Sequence, residues 1–266
     1  MRSIRWARMF RIPRNARVIA VAIAAMVSTA SHAAGEKTTS PKAKGASAEV
    51  QIGLCGAADH IVRALELRPR GAPITVWQFD DDALTLLQRG LRLRLRVAVD
   101  GSSEYTLKVA DQDCARLAPG RVPPGEGKCE YDVYGENAAG AVSITRPLSA
   151  KDTGELLAGR SAPAQLLSRS QAQYLRKVVR LWPLPAGIGK LGPIEVQRYR
   201  TSGDIYDVDI SRLPDDQRYV EISRKVPIAD ATRAMGVLKD DLLKAGVAVC
   251  GDQSSPAGSK LRALVR

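Results

Sequence analysis

Leu91-Arg92-Leu93-Arg94-Leu95-Arg96-Val97 sets an apolar residue against an arginine at every second position for seven residues. Side chains alternate across a strand with period two, so this run is a half-buried strand with one apolar and one cationic face. The same alternation recurs on both sides of it. Glu49–Leu54 sets Val50, Ile52 and Leu54 against Glu49, Gln51 and Gly53, and Tyr105–Val109 sets Tyr105, Leu107 and Val109 against Thr106 and Lys108. Glu130–Tyr134, Ile205–Ile210 and Tyr219–Val226 repeat it with Glu130, Asp132, Asp207, Asp209, Glu221, Ser223 and Lys225 on the polar side. Strands of this kind belong to antiparallel sheets. Helical periodicity is read over 57–67, 83–89 (ending at Gly90), 164–182 and 228–245 (ending at Gly246, with Asp230 near its start). Pro-rich loops over 119–124 and 183–193 separate the units. The class is α+β, a largely antiparallel sheet with covering helices.

The ionisable faces admit two readings. One is a solvated sheet surface, where mixed charges contribute little to stability. The other is a sheet closed into a barrel, with the charged face inside and helices against the apolar outside. Three arginines at i, i+2 and i+4 stand about 7 Å apart along one face, a spacing suited to a chain of phosphates.

The N-terminus bears on location. Six arginines without an acid, an apolar core over 18–27, and Ser31-His32-Ala33 before a cut at Ala34 predict a signal peptide over 1–33. The mature chain is then periplasmic or secreted, with no further stretch apolar enough to span a membrane. Removing six arginines from a formal +12 leaves about +6, which favours anionic ligands and gives no signature of nucleic-acid binding. Residues 34–47 are small and polar and read as a disordered linker ahead of one domain over 48–266. Four cysteines in an exported chain predict two disulfides, with three pairings possible. Cys114 and Cys129 bracket a Pro/Gly-rich segment between two strands, while Cys55 follows the first strand and Cys250 the last helix. Cys114–Cys129 and Cys55–Cys250 are the favoured pairs.

Other chemistry finds little support. His60 is the one histidine after residue 33, with no nucleophile elbow near it. Gly187–Gly192 fits G-x-G-x-x-G in form but lacks the strand–turn–helix setting and reads as a loop. Trp77, Phe79 and Trp182 read as core rather than as a stacking platform.

Residues 75–97 (TVWQFDDDALTLLQRGLRLRLRV), followed by YTLKV at 105–109, resemble the CYTH domain of triphosphate tunnel metalloenzymes. CEYDVYGE at 129–136 and RYVEISRKV at 218–226 follow in the family's order, and the tail through Ser259-Lys260 is similar to its closing elements. The resemblance spans about 49–266. It implies an antiparallel eight-stranded barrel, or tunnel, with flanking helices, binding a triphosphate-type anion with Mg²⁺ or Mn²⁺. It implies phosphate contacts from Arg92, Arg94 and Lys108, with Lys225, Arg198 and Arg200 adding to them. It implies metal ligation by Glu49, Glu130, Asp132 and Glu221. The chain departs from the pattern at Gln51, Gly53 and Ser223, where the family carries two carboxylates and a lysine. Fewer carboxylates weaken cation binding and the activation of water. The expectation is therefore a polyphosphate-type ligand or another anionic small molecule, with weak metal-dependent hydrolysis at most. The alternative is a non-catalytic scaffold or anion-binding module.

Overall fold

The computed structural model describes residues 46–117, 121–251 and 256–266. The predicted signal peptide and residues 34–45 of the predicted linker lie outside the described residues. The first strand, β1 (Ser47–Cys55), begins within the last residues read as linker. It is followed by α1 (Ala58–Ala64), the short β2 (Arg68–Pro69), β3 (Ile74–Asp80), α2 (Thr85–Gln88), β4 (Leu91–Ala98) and β5 (Ser103–Val109). Then come β6 (Gly127–Tyr134), β7 (Asn137–Leu148), α3 (Ala150–Leu157), α4 (Arg169–Tyr174), β8 (Gly189–Arg200), β9 (Asp207–Arg212) and β10 (Arg218–Pro227). The chain ends with α5 (Ala231–Lys244), the short β11 (Ala248–Val249) and α6 (Pro256–Leu264).

The strands close on themselves in the order β1-β10-β9-β8-β3-β4-β5-β7-β6, with β6 returning to β1. The barrel has nine strands rather than eight, and it is mixed, because β1 and β6 run parallel (Glu49 opposite Asp132) while every other pair is antiparallel. β7 is the strand without a clear sequence signal. Its first half, Asn137-Ala138-Ala139-Gly140-Ala141, is built of small residues because the Cys114 loop crosses it. A Cβ on Gly140 would stand 1.8 Å from the Gln112 carbonyl oxygen.

Alternation sorts the barrel into two environments. Outside, Leu91, Leu93, Leu95, Tyr105, Leu107, Val142 and Ile144 form one core with Leu86 of α2, Leu156 of α3 and Tyr174 of α4. Val50, Ile52, Val208, Val220 and Ile222 form another with Ile61 of α1 and Leu238 and Leu242 of α5. Each large buried side chain contributes about 1.5–3 kcal/mol. Gln171 pins α4 to the sheet by donating to the Tyr105 and Ile144 carbonyls, at 3.0 and 2.8 Å. The Phe-Asp sequence before α2 has a structural use: buried Asp80 accepts from the backbone N–H groups of Asp81, Leu86 and Leu87, each at 2.9 Å, turning the chain into β4.

Two expected elements differ, and one helix, α6, is additional. Residues 164–182 do not form one helix. A 3₁₀ turn (Pro163–Leu166) is broken by extended Leu167; Ser168 then caps α4 by accepting from Gln171 N–H, and a π-helical turn (Leu175–Val179) follows. Gly189–Gly192, read as loop, belongs to β8, which bulges so that Gly192 and Pro193 both face Trp77; a bulge is where a strand tolerates Pro. α6 carries its own contacts into the lumen. Ala263 and Leu264 pack with Leu213 on Ile74, Val76, Ile194 and Val196, apolar residues of the inner wall. Both favoured disulfides are present, Cys55–Cys250 and Cys114–Cys129. Among the described residues, no helix is long and apolar enough to cross a membrane.

Candidate functional site: a cationic tunnel

The inner face of β4 carries Arg92, Arg94 and Arg96, three arginines at successive inward positions. Hydrogen-bonded neighbours extend this face: Lys108 stands opposite Arg92 on β5, and Gln78 opposite Arg94 on β3. On β8, β9, β10 and β1 the inward positions hold Arg198, Asp209, Glu221 and Glu49, and α6 adds Lys260. Together they line a cavity of about 160 Å³. Its wall presents six cations (Arg92, Arg94, Arg96, Lys108, Arg198, Lys260) against three carboxylates (Glu49, Asp209, Glu221). The arginines also line a wider cavity of about 700 Å³ that includes Arg70, Glu104, Lys128, Glu130 and Lys225. On the far side, Glu221 and Lys260 are shared with a cavity bordered by Arg218, Arg262 and the Cys55–Cys250 bridge, so this ion pair stands between the two spaces.

Burial sets the electrostatics. It pushes the Arg94 guanidinium well below its usual value, with the neighbouring charges of Arg96 and Arg92 adding to the effect. It also lowers Arg96 and Lys108. A guanidinium stays charged at any physiological pH, so these arginines are buried as cations, at a desolvation cost that Glu104 and Asp209 only partly offset. Hydrogen bonding tells the same story: the Nε atoms of Arg94 and Arg96 are shut off from solvent and donate to nothing, and Gln78 Oε1 accepts nothing. Burial raises Glu49, Asp209 and Glu221. Glu130 goes the other way: desolvation would raise it, but hydrogen bonds from Lys128 and Lys225 hold it below its usual range.

The structure brings together Arg92, Arg94, Lys108, Arg198, Glu49 and Glu221, and places Lys225 and Glu130 at the wider end. Arg200 stands apart, pairing with Asp207 at 2.9 Å and Asp204 at 4.0 Å. Arg96, Asp209 and Lys260 join the site without having been assigned a contact there, and Gln78 without having been singled out at all. Arg96 and Asp209 share the inward parity of their strands, a signal that was present. Lys260 arrives on a helix inserted into the lumen, for which strand alternation offers no signal.

The residues do not fit the divalent cation that the resemblance implies. Asp132 is buried beneath Lys108, with Arg92 at 3.9 Å. Glu130 is held between Lys128 and Lys225, the latter at 2.9 Å, and Glu221 faces Lys260 at 3.6 Å. Glu49 has the Ser223 hydroxyl at 3.5 Å. Among the described residues, no three Asp, Glu, His or Cys side chains converge as a metal would require. Gln51 and Ser223, directly opposite one another on β1 and β10, supply neutral groups where carboxylates were expected.

No protein-family model and no curated protein sequence matches the chain. Solved structures do. An adenylyl cyclase candidate from Hippeastrum with a dominant triphosphatase activity superposes with a TM-score of 0.54 at 15% identity, over 81% of this chain and 95% of that one. An adenylate cyclase candidate from Bacillus halodurans gives 0.52 at 12% identity, over 79% and 96%. At such identities the likeness is one of fold, and it supports the CYTH-like tunnel architecture that the sequence resembles.

Proposed function

We propose that this chain is an exported CYTH-like protein whose tunnel binds a triphosphate- or polyphosphate-type anion. The observation that carries the reading is the inner wall of six cations against three carboxylates, in which two arginine Nε atoms have no partner. A buried guanidinium with an unpaired Nε is costly, and a ligand with several anionic oxygens relieves that cost at several points at once. Cationic groups on four different elements (β4, β5, β8 and α6) suit an extended polyanion better than a single phosphate. Two disulfides suit an oxidising compartment and support the reading of export.

Binding, rather than hydrolysis, is the primary reading, because Asp132, Glu130 and Glu221 are each paired with a lysine and, among the described residues, no three metal-ligating side chains converge. The Hippeastrum neighbour's triphosphatase activity motivates a second reading, slow hydrolysis in the same tunnel. Calorimetric titration of the purified chain with tripolyphosphate tests the first, and phosphate release tests the second. Saturable binding without release supports an anion-binding module. Turnover at ordinary enzyme rates, about 10 s⁻¹, overturns it in favour of a hydrolase. Absence of any binding removes both.

A further inference from the structure

We infer that this tunnel takes its anion free of metal, with lysine ammonium groups standing where a divalent cation would otherwise bridge carboxylate and phosphate. The inference rests on the anion-binding reading and names the form in which the ligand enters. Three carboxylates around the lumen each already hold an ammonium: Asp132 holds Lys108, Glu221 holds Lys260 at 3.6 Å, and Glu130 holds Lys225 at 2.9 Å as well as Lys128. A divalent ion binding at any of them would first displace a lysine, and among the described residues it would find no group of three ligating side chains.

The ammonium groups are also placed to do the bridging. Lys108 and Lys260 both line the enclosed cavity, among the arginines and with side chains that are mostly buried. An ammonium carries three donors, so each lysine has hydrogen-bonding capacity beyond its carboxylate. Lys260 also donates to the Ser211 hydroxyl at 3.2 Å. One lysine of the set comes from outside the barrel strands altogether. It is carried on α6, whose Ala263 and Leu264 are packed with Leu213 on the inner wall, so Lys260 is held at a fixed place in the lumen. Gln51 and Ser223 complete the picture: opposite each other at the same level of the wall, they add no charge that a metal would need.

The consequence is a sign. Magnesium complexes tripolyphosphate in solution and lowers its charge, so a tunnel built on ammonium groups binds the complex less tightly than the free anion. Titration of the full mature chain with tripolyphosphate in EDTA, and again with Mg²⁺ or Mn²⁺ in excess, reads this directly. Binding in EDTA at least as tight as with metal supports the inference. Binding that appears only with metal overturns it while leaving the anion-binding reading standing, whereas absence of binding in both buffers removes the reading itself. Lys260→Ala supplies the second arm. It frees Glu221, so affinity in EDTA falls about tenfold or more, as for one lost charge-assisted contact, and Lys260→Arg recovers most of it. A Lys260→Ala protein that keeps its melting temperature and binds in EDTA as the wild type does also overturns the inference.

Discussion

Arg94 sits in the middle of the cationic row, with Arg92 and Arg96 on either side along the strand and no partner on its own Nε. Its replacement removes a repulsive neighbour from the empty tunnel and a donor from the filled one. Arg94→Ala is therefore expected to leave stability unchanged or slightly higher, while weakening tripolyphosphate binding by about 1.5–3 kcal/mol. Parallel melting and calorimetry separate the two effects; a loss of both marks Arg94 as a structural residue. The acids make a second prediction at this scale. Burial raises Glu49, Asp209 and Glu221, so as pH falls they take up protons earlier than exposed carboxyls would, removing negative charge from the wall. Anion affinity should then rise from about pH 8 to about pH 5. Sulfate, whose charge does not change in that range, is the probe, and affinity that falls toward acid contradicts the assignment. Arg92, Arg94 and Lys108 were legible as one face because period two fixes parity. What strand parity leaves undecided is whether that face meets solvent or a lumen, since both give the same alternation.

At the scale of elements, β1 and β10 tell most about this chain's own chemistry. Gln51 and Ser223 are cross-strand partners, one position along from the pairing of Glu49 with Lys225 in the inward-facing order. The double change Gln51→Glu with Ser223→Glu would put two carboxylates opposite each other and close to Glu49 and Glu221. Without metal, like charges facing across a pair of strands destabilise, and burial adds to the cost. A loss of about 2 kcal/mol corresponds to a melting point lower by roughly 4–8 °C in a chain of this size. Mn²⁺ is expected to restore it in the double variant and to leave the wild type unaffected. Equal Mn²⁺ shifts in both proteins would mean that the natural wall already holds the ion. The elements also differ in how readable they were. β4 and β5 announce themselves through large alternating side chains. β7 is illegible in its first half because small residues there answer to the Cys114 loop, and β8 because a bulge at Gly192-Pro193 interrupts its period. The stretch 164–182 has helical composition, but its packing against β5 and β7 through Gln171 and Tyr174 divides it into three short turns.

For the whole molecule, the two disulfides act on different lengths of chain. Cys114–Cys129 closes a 15-residue segment and Cys55–Cys250 one of 195. In the chain-entropy model these correspond to about 3 and about 5 kcal/mol. Removing the longer bridge as the Cys55→Ala/Cys250→Ala pair should therefore cost more in a denaturant melt than the Cys114→Ala/Cys129→Ala pair. Non-reducing peptide mapping checks the pairing first, and a Cys55–Cys114 crosslink would contradict it. Closure of the sheet was legible only through the order of motifs along the chain. No single strand states that it will find its neighbour, since β1 and β10 are separated by nearly the whole domain.

That separation has a temporal side. β1 is the first strand to be synthesised, yet it is flanked by β6 on one edge and β10 on the other, and β10 ends at Pro227. Until residue 227 has emerged, one edge of β1 has no mate, and Val50 and Ile52 lack part of the cover that Ile222 and Leu238 later provide. A chain growing from its N-terminus must carry this strand unfinished through most of its synthesis. Non-local pairing of this kind slows folding and leaves a sticky edge in the meantime. The barrel is thus a fold that favours late, single-step closure, and a nascent chain stalled before β10 is the species in which aggregation should be sought.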